Sequence, residues 1–230
     1  MPDSPTAVPP RRGFLARVGA VAALGVTGAL PFDLTRAAHH LAGPDPDATD
    51  KWLVNMKGKH RQLFDMPHPS EGVPLLHIRN FLMTYHDAYG MADKDINAIG
   101  TLYGKTVPLA FQDSMWGKYK LGESLHLTDA ATNAPLARNM FAHPQQGDAF
   151  AFGVFDASIE ALQKRGVLFL LCNNALGFWV GQLAKGGMGT AEAIRADLLA
   201  NLLPGVVLVP AMVVAINKAQ EHGFSYMYLA

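Results

Sequence analysis

Short apolar runs and segments of helical period take turns along most of this chain. HRQLFDM, His60–Met66, reads as a first strand. It is followed by apolar residues at Leu75, Ile78, Leu82, Tyr85 and Tyr89, one face at helical spacing, closed by Gly90. DINAIGTLYG, Asp95–Gly104, reads as a second strand, and a helix is expected from about Leu109 to Tyr119. The stretch from Glu123 to Gln146 has no period and is rich in Thr, Asn, Pro and His, so it reads as a long irregular excursion.

The second half is more regular. DASIEALQKRG predicts a helix capped by Asp156 or Ser158 and stopped at Gly166. VLFLLC, ending at Cys172, is a continuous apolar run of the kind that sits in a parallel sheet buried on both faces. Two helices follow, the second with Thr190 at its N-cap and Ile194, Leu198 and Leu202 on its apolar face. VVLV is a strand, and the next helix has Pro210 in its first turn and Gly223 just beyond its end. FSYMYL closes the chain as an alternating strand.

Strands alternating with helices need crossover connections, which predicts an α/β fold in three layers: about five mostly parallel strands with helices on both faces. The uncharged stretch from Leu198 to Ile216 does not change that picture, because Pro204-Gly205 and Pro210 cut it into short pieces. Composition agrees: half of the 230 residues are hydrophobic and 17% are charged, as in a globular chain. Nineteen basic residues balance nineteen acidic ones, and the body holds no Lys/Arg block, so nucleic acid is not an expected partner.

The first forty residues read differently. Arg11 and Arg12, followed by Gly13, Phe14 and Leu15, resemble the twin-arginine export motif. Behind them lies an uncharged run from Val18 to Pro31, about 14 residues, short of the roughly 20 that span a bilayer. Its many Ala and Gly residues make it weakly hydrophobic, which fits that route. The expected organisation is a signal peptide at 1–38, a linker at 39–50 and one domain at 51–230 with an insertion at about 116–152. The protein is then periplasmic or otherwise exported, handled by the twin-arginine translocase; an uncleaved signal would make it membrane-anchored.

Cys172 is the only cysteine, so no intramolecular disulfide forms. It falls at the carboxyl end of a predicted strand and just before a helix, where parallel α/β sheets place their reactive groups. The free amides of that first turn, from Asn173 to Leu176, can point at a thiolate, the nucleophilic form. Asn173 and Asn174 can add neutral hydrogen bonds. The alternative is a small apolar side chain that fills the core, as the five apolar residues before it suggest.

VLFLLCNNAL together with LLPGVVLVPAMVVAINKAQEHGFSYMYL resembles the second half of DsrE-like proteins, small α/β subunits of sulfur relays. The family pattern is a strand ending in cysteine, two helices, then L-P-G-V-x-V-V-P-A leading into a helix with Q-x-x-G-[YF]-x-Y. The region His60–Gly104 is similar to the family's first half. The resemblance implies that Cys172 accepts sulfur as a persulfide and passes it on. It further implies a homo-oligomer, a sulfur-donor or acceptor protein as partner, and no cofactor. Export and the insertion set this chain apart from the relay subunits. A non-catalytic periplasmic ligand-binding or assembly module is therefore the alternative, with the insertion as recognition surface and Cys172 buried.

The nine histidines do not suggest a metal site: His68, His77, His86, His126 and His143 show no helical zinc spacing, and no second cysteine helps. His222 suits the last turn of a helix. Trp116 and Tyr119 share a helical face, either in packing or along a ligand pocket.

Overall fold

Every expected strand forms, and each lies parallel to its neighbours. The computed structural model describes residues 50–229. The expected leader, with Arg11, Arg12, Phe14 and Leu15, and nearly all of the linker lie outside the described residues. In chain order the elements are α1 (Lys51–Val54), β1 (His60–Asp65), α2 (Val73–Tyr89), β2 (Ile96–Leu102), α3 (Asp113–Lys118), α4 (Leu121–Ser124) and α5 (Ile159–Lys164). There follow β3 (Leu168–Cys172), α6 (Asn173–Lys185), α7 (Ala191–Ala200), β4 (Val207–Val209), α8 (Met212–Glu221) and β5 (Ser225–Tyr228). The sheet order is β4-β3-β2-β1-β5, parallel throughout.

Side chains alternate across the sheet and split the core in two. Phe64, Ala98, Leu102, Phe169 and Leu171 join Leu75, Ile78 and Leu82 of α2 and Leu176, Val180 and Leu183 of α6. On the other face Leu63, Ile99, Leu170, Cys172 and Val209 meet Met212, Ala215 and Ala219 of α8 and Trp52 and Leu53 of α1. Chirality explains this division. The steps β1→β2→β3→β4 run one way across the sheet, so right-handed crossovers put their helices on one face; the return from β4 to β5 puts α8 on the other. Gly100 makes one close approach possible, since a Cβ there would lie 2.6 Å from the Phe169 ring.

Local signals account for the helix ends. Ser158, one of the two caps expected, accepts from the Ala161 N–H, and Thr190 accepts from the Ala193 N–H. Gly90 closes α2 in the left-handed region, with its N–H returning to His86 O. Three expectations need correction. The helix expected over Leu109–Tyr119 begins only at Asp113, after a 3-10 segment over Gly104–Ala110 that contains Pro108 and an extended Phe111 and Gln112. Pro210 stands before α8 rather than in its first turn, because Ala211 is extended and serves as N-cap. The last strand does not alternate: all four of its residues are exposed, as an edge strand permits. Among the described residues no helix is long and apolar enough to cross a membrane.

The excursion between β2 and β3 is irregular but not peripheral. Leu136, Met140, Phe141 and Ala142 belong to the main core. Trp116 is fully buried and donates from Nε1 to Pro108 O at 3.1 Å, and the Tyr119 hydroxyl donates to Asp197 Oδ2 at 2.7 Å. Both aromatic residues therefore pack. Asn139 ties the segment down: its Nδ2 donates to Leu109 O and Phe111 O at 3.0 and 2.8 Å, and its Oδ1 accepts from the N–H groups of Phe141 and Ala142. Asn139 is fully buried, so removing its carboxamide leaves several polar groups without partners. Asn139→Ala is expected to cost about 3 kcal/mol in a urea unfolding titration, whereas a loss under about 1 kcal/mol would contradict this role for the carboxamide.

Candidate functional site

The strands β3 and β4 are neighbours, and the helices that follow them leave for opposite faces of the sheet. A crevice opens at such a divergence in parallel α/β sheets, beyond the carboxyl ends of the strands. Cys172 is the last residue of β3, paired with Val209 at the end of β4. Its sulfur stands between the two helix starts. The Sγ accepts from the Ala175 N–H of α6 at 3.5 Å and from the Met212 N–H of α8 at 3.3 Å. Both amides are first-turn donors with no partner inside their own helix.

Cys172 thereby does the work of an N-cap, with extended backbone and a side chain that satisfies the third amide of α6. It is 5% exposed and packs with Leu63, Ile99, Leu170, Val209 and Met212. Two hollows flank it. One, of about 410 Å³, is lined by Pro67, His68, Gly104, Lys105, Ala175, Phe178 and Trp179. The other, of about 200 Å³, includes Trp52, Val209, Pro210 and Ala211. The sulfur lines neither. Ala175, whose amide donates to it, also lines the larger hollow.

The two asparagines behave differently from what their place in sequence suggests. Asn173 is buried and turns to α7, where its Oδ1 accepts from Arg195 Nη2 at 2.5 Å. Asn174 is exposed. Neither is a donor to the sulfur. Arg195 carries a positive charge to the residue next to Cys172. Burial pushes its guanidinium down from the ordinary arginine range, and its Nη1 has no hydrogen-bond partner among the described residues. Sequence reading missed Arg195 and the Met212 amide, since both reach the site only through tertiary packing.

Beside the cysteine, the ends of β1, β2 and β5 assemble an acid among phenols. Asp65 is buried and accepts from Thr101 Oγ1 at 3.0 Å and from the Tyr226 hydroxyl at 2.6 Å. Burial first, then the nearby Asp65 carboxylate, holds the Tyr103 phenol well above the usual tyrosine range. Tyr226 is pushed up to about 12, chiefly by its hydrogen bond to Asp65. Leu102 pairs with Leu171, so Tyr103 stands level with Cys172 one strand away and packs against the same cluster.

The histidines do not converge. His68 borders the larger hollow, His143 lies in the excursion, and no group of three or more His, Cys, Asp or Glu placed to hold a metal occurs among the described residues. No family model matches this chain, and no curated protein matches it. Among solved structures, that of the protein of unknown function MTH1491 from Methanobacterium thermoautotrophicum is similar at 20% identity and a TM-score of 0.38, covering 74% of this chain and 100% of that one.

The raised Tyr226 value sets a sign. A phenol that holds its proton more tightly when folded stabilises the fold fully below the ordinary value of about 10. That contribution is lost as pH rises through about 12. Phenolate absorbance of the native protein should therefore show one late-titrating tyrosine fewer in Tyr226→Phe than in the wild type, while Tyr103 and Tyr119 still titrate late, and Asp65→Asn should move Tyr226 back towards the ordinary value. A Tyr226 that titrates normally in the wild type would contradict the contact.

Proposed function

We propose that this chain is an exported DsrE-like protein that carries sulfur as a persulfide on Cys172. The observation that supports it most is the pair of amides at 3.3 and 3.5 Å from the sulfur, one from each of two diverging helices. Such donors favour negative charge, which both the attacking thiolate and the terminal sulfur of a persulfide carry. Arg195, held one residue away through Asn173, adds charge of the right sign.

The chemistry requires no oxidant. The Cys172 thiolate attacks the outer sulfur of a donor persulfide, R–S–SH. The donor's S–S bond breaks, a new S–S bond forms on Cys172, and R–S⁻ leaves with the electron pair. Return of the sulfur to an acceptor thiolate is the same exchange in reverse. With no second cysteine in the chain, the persulfide is not resolved into an internal disulfide. Because Cys172 is only 5% exposed, transfer needs the first turn of α6 to move, which would join Cys172 to the hollow bounded by Ala175, Phe178 and Trp179. The partners this reading calls for are a sulfur-donor or acceptor protein and further copies of the chain, with the twin-arginine translocase acting during export.

That same burial favours a second reading: a non-catalytic periplasmic module in which Cys172 caps α6 and fills the core. One experiment separates the two. After treatment with a low-molecular-weight persulfide, the intact protein should gain the mass of one sulfur atom, reversed by a reducing thiol and absent from Cys172→Ala. A wild-type mass that stays unchanged under conditions that persulfidate a control thiol protein contradicts the relay and supports the structural role.

A further inference from the structure

A cavity of about 830 Å³ opens at the opposite end of the sheet from Cys172. Its wall includes Val167, directly before β3, and Leu203, Pro204 and Gly205, ahead of β4. Val167 lies five positions before Cys172, roughly 16 Å at strand rise. The remaining wall comes from α5, through Glu160, Gln163 and Lys164, and from the excursion, through Gln112, Asp113, Ser114, Ala142 and His143. The excursion packs against the sheet and leaves this space open.

Its chemistry is that of an apolar floor under a rim of acceptors. Val167, Leu203 and Ala142 are buried and give the floor. Across the rim, the His143 imidazole stands between two carboxylates, Nδ1 at 3.6 Å from Asp113 Oδ1 and Nε2 at 3.5 Å from Glu160 Oε2. Both distances exceed a good hydrogen bond. Each carboxylate has one oxygen engaged by the protein: Asp113 Oδ1 accepts from the Asn139 N–H at 2.9 Å, and Glu160 Oε1 meets Lys164 Nζ at 2.8 Å. Among the described residues no hydrogen bond reaches Asp113 Oδ2 or Glu160 Oε2. Gln112 and Gln163 donate their Nε2 to Leu202 O and Pro204 O, and these bonds leave each carboxamide oxygen as a further acceptor. Leaving the histidine aside, the two acids and the lysine of the wall sum to one net negative charge. Acceptors outnumber free donors.

The site is also held in place in advance. Fully buried Asn139 fixes the backbone at Leu109 and Phe111 and presents its own amide to Asp113. Gln163 ties α5 to Pro204 across the wall at 2.7 Å. Such support keeps a binding geometry without cost at the moment of binding.

We infer that this cavity binds a small organic cation, a primary amine or amidinium on an apolar body. The charged head donates to Asp113 and Glu160, and the body lies on Val167, Leu203 and Ala142. This site is independent of the thiol, and the excursion supplies its recognition surface.

The test is calorimetric titration of the full chain with benzamidine and 4-phenylbutylamine, each set against a matched probe, benzamide and 4-phenylbutyrate. The cationic probes should bind at least about tenfold more tightly than their partners, the equivalent of one favourable charge contact. Glu160→Gln and Asp113→Asn should each weaken the cations by about tenfold and leave the uncharged probe unchanged. Ser114→Trp, a substitution at an exposed wall position, should abolish binding while leaving the circular dichroism spectrum intact. Cys172→Ala should bind as the wild type does, which keeps this result separate from the fate of the persulfide. Equal affinity for charged and matched probes, no binding of either cation, or binding that survives both Glu160→Gln and Ser114→Trp would overturn the inference.

Discussion

The handedness of the crossovers is the constraint on which the site depends. Three successive steps in one direction across the sheet leave their helices on one face, and the single return step sends α8 to the other. Two neighbouring strands, β3 and β4, therefore end in helices that part company. Amides at both helix starts lack partners of their own, and Cys172 stands where they meet. A serine or threonine could cap α6 as well. The thiol is what makes the position chemically distinct.

Two pressures act on that sulfur. The apolar cluster around it and the 5% exposure of Cys172 favour a closed state, while the amides and the nearby Arg195 favour negative charge there. A methyl group would fill the same space but leave these two backbone amides without the sulfur as acceptor. As a cap the sulfur satisfies them; the proposed exchange of sulfur would use the same donors and would need the closure to be reversible. On the proposed relay, burial would protect the thiol from wasteful oxidation between transfers, and the part that has to move would be a single helical turn rather than the whole domain. The excursion between β2 and β3 serves the other end of the sheet, where it walls a separate cavity.

Much of this architecture is legible in the sequence because its signals are local. VLFLLC announces a buried strand, and it becomes β3; Thr190, Ser158 and Gly90 mark helix ends by their own backbone chemistry. The place of Cys172 at a strand end is local too. Its second donor is not, because Met212 lies forty residues further on and arrives through the β3–β4 pairing. Asn173 reads as a donor to the sulfur but has a stronger partner in Arg195, an approach that only the packing of α7 on α6 reveals. The excursion carries no period, so its burial is not legible; Phe141 and Trp116 are held by each other, by Phe150 and by Pro108 O, partners scattered along the chain rather than set on a repeating face. FSYMYL is legible as a strand, but its full exposure is not, since edge position is a property of the sheet order and not of these residues themselves.

The most direct measurement is the rate at which a small neutral maleimide alkylates Cys172 in the otherwise native protein, followed as urea is raised towards the unfolding transition. Opening of one helical turn exposes little surface, so the account expects slow labelling in plain buffer at a rate almost flat in urea until the domain unfolds. Labelling that is undetectable in buffer and climbs with urea in step with global unfolding would mean that only the unfolded chain presents its sulfur, and would contradict a relay at this site.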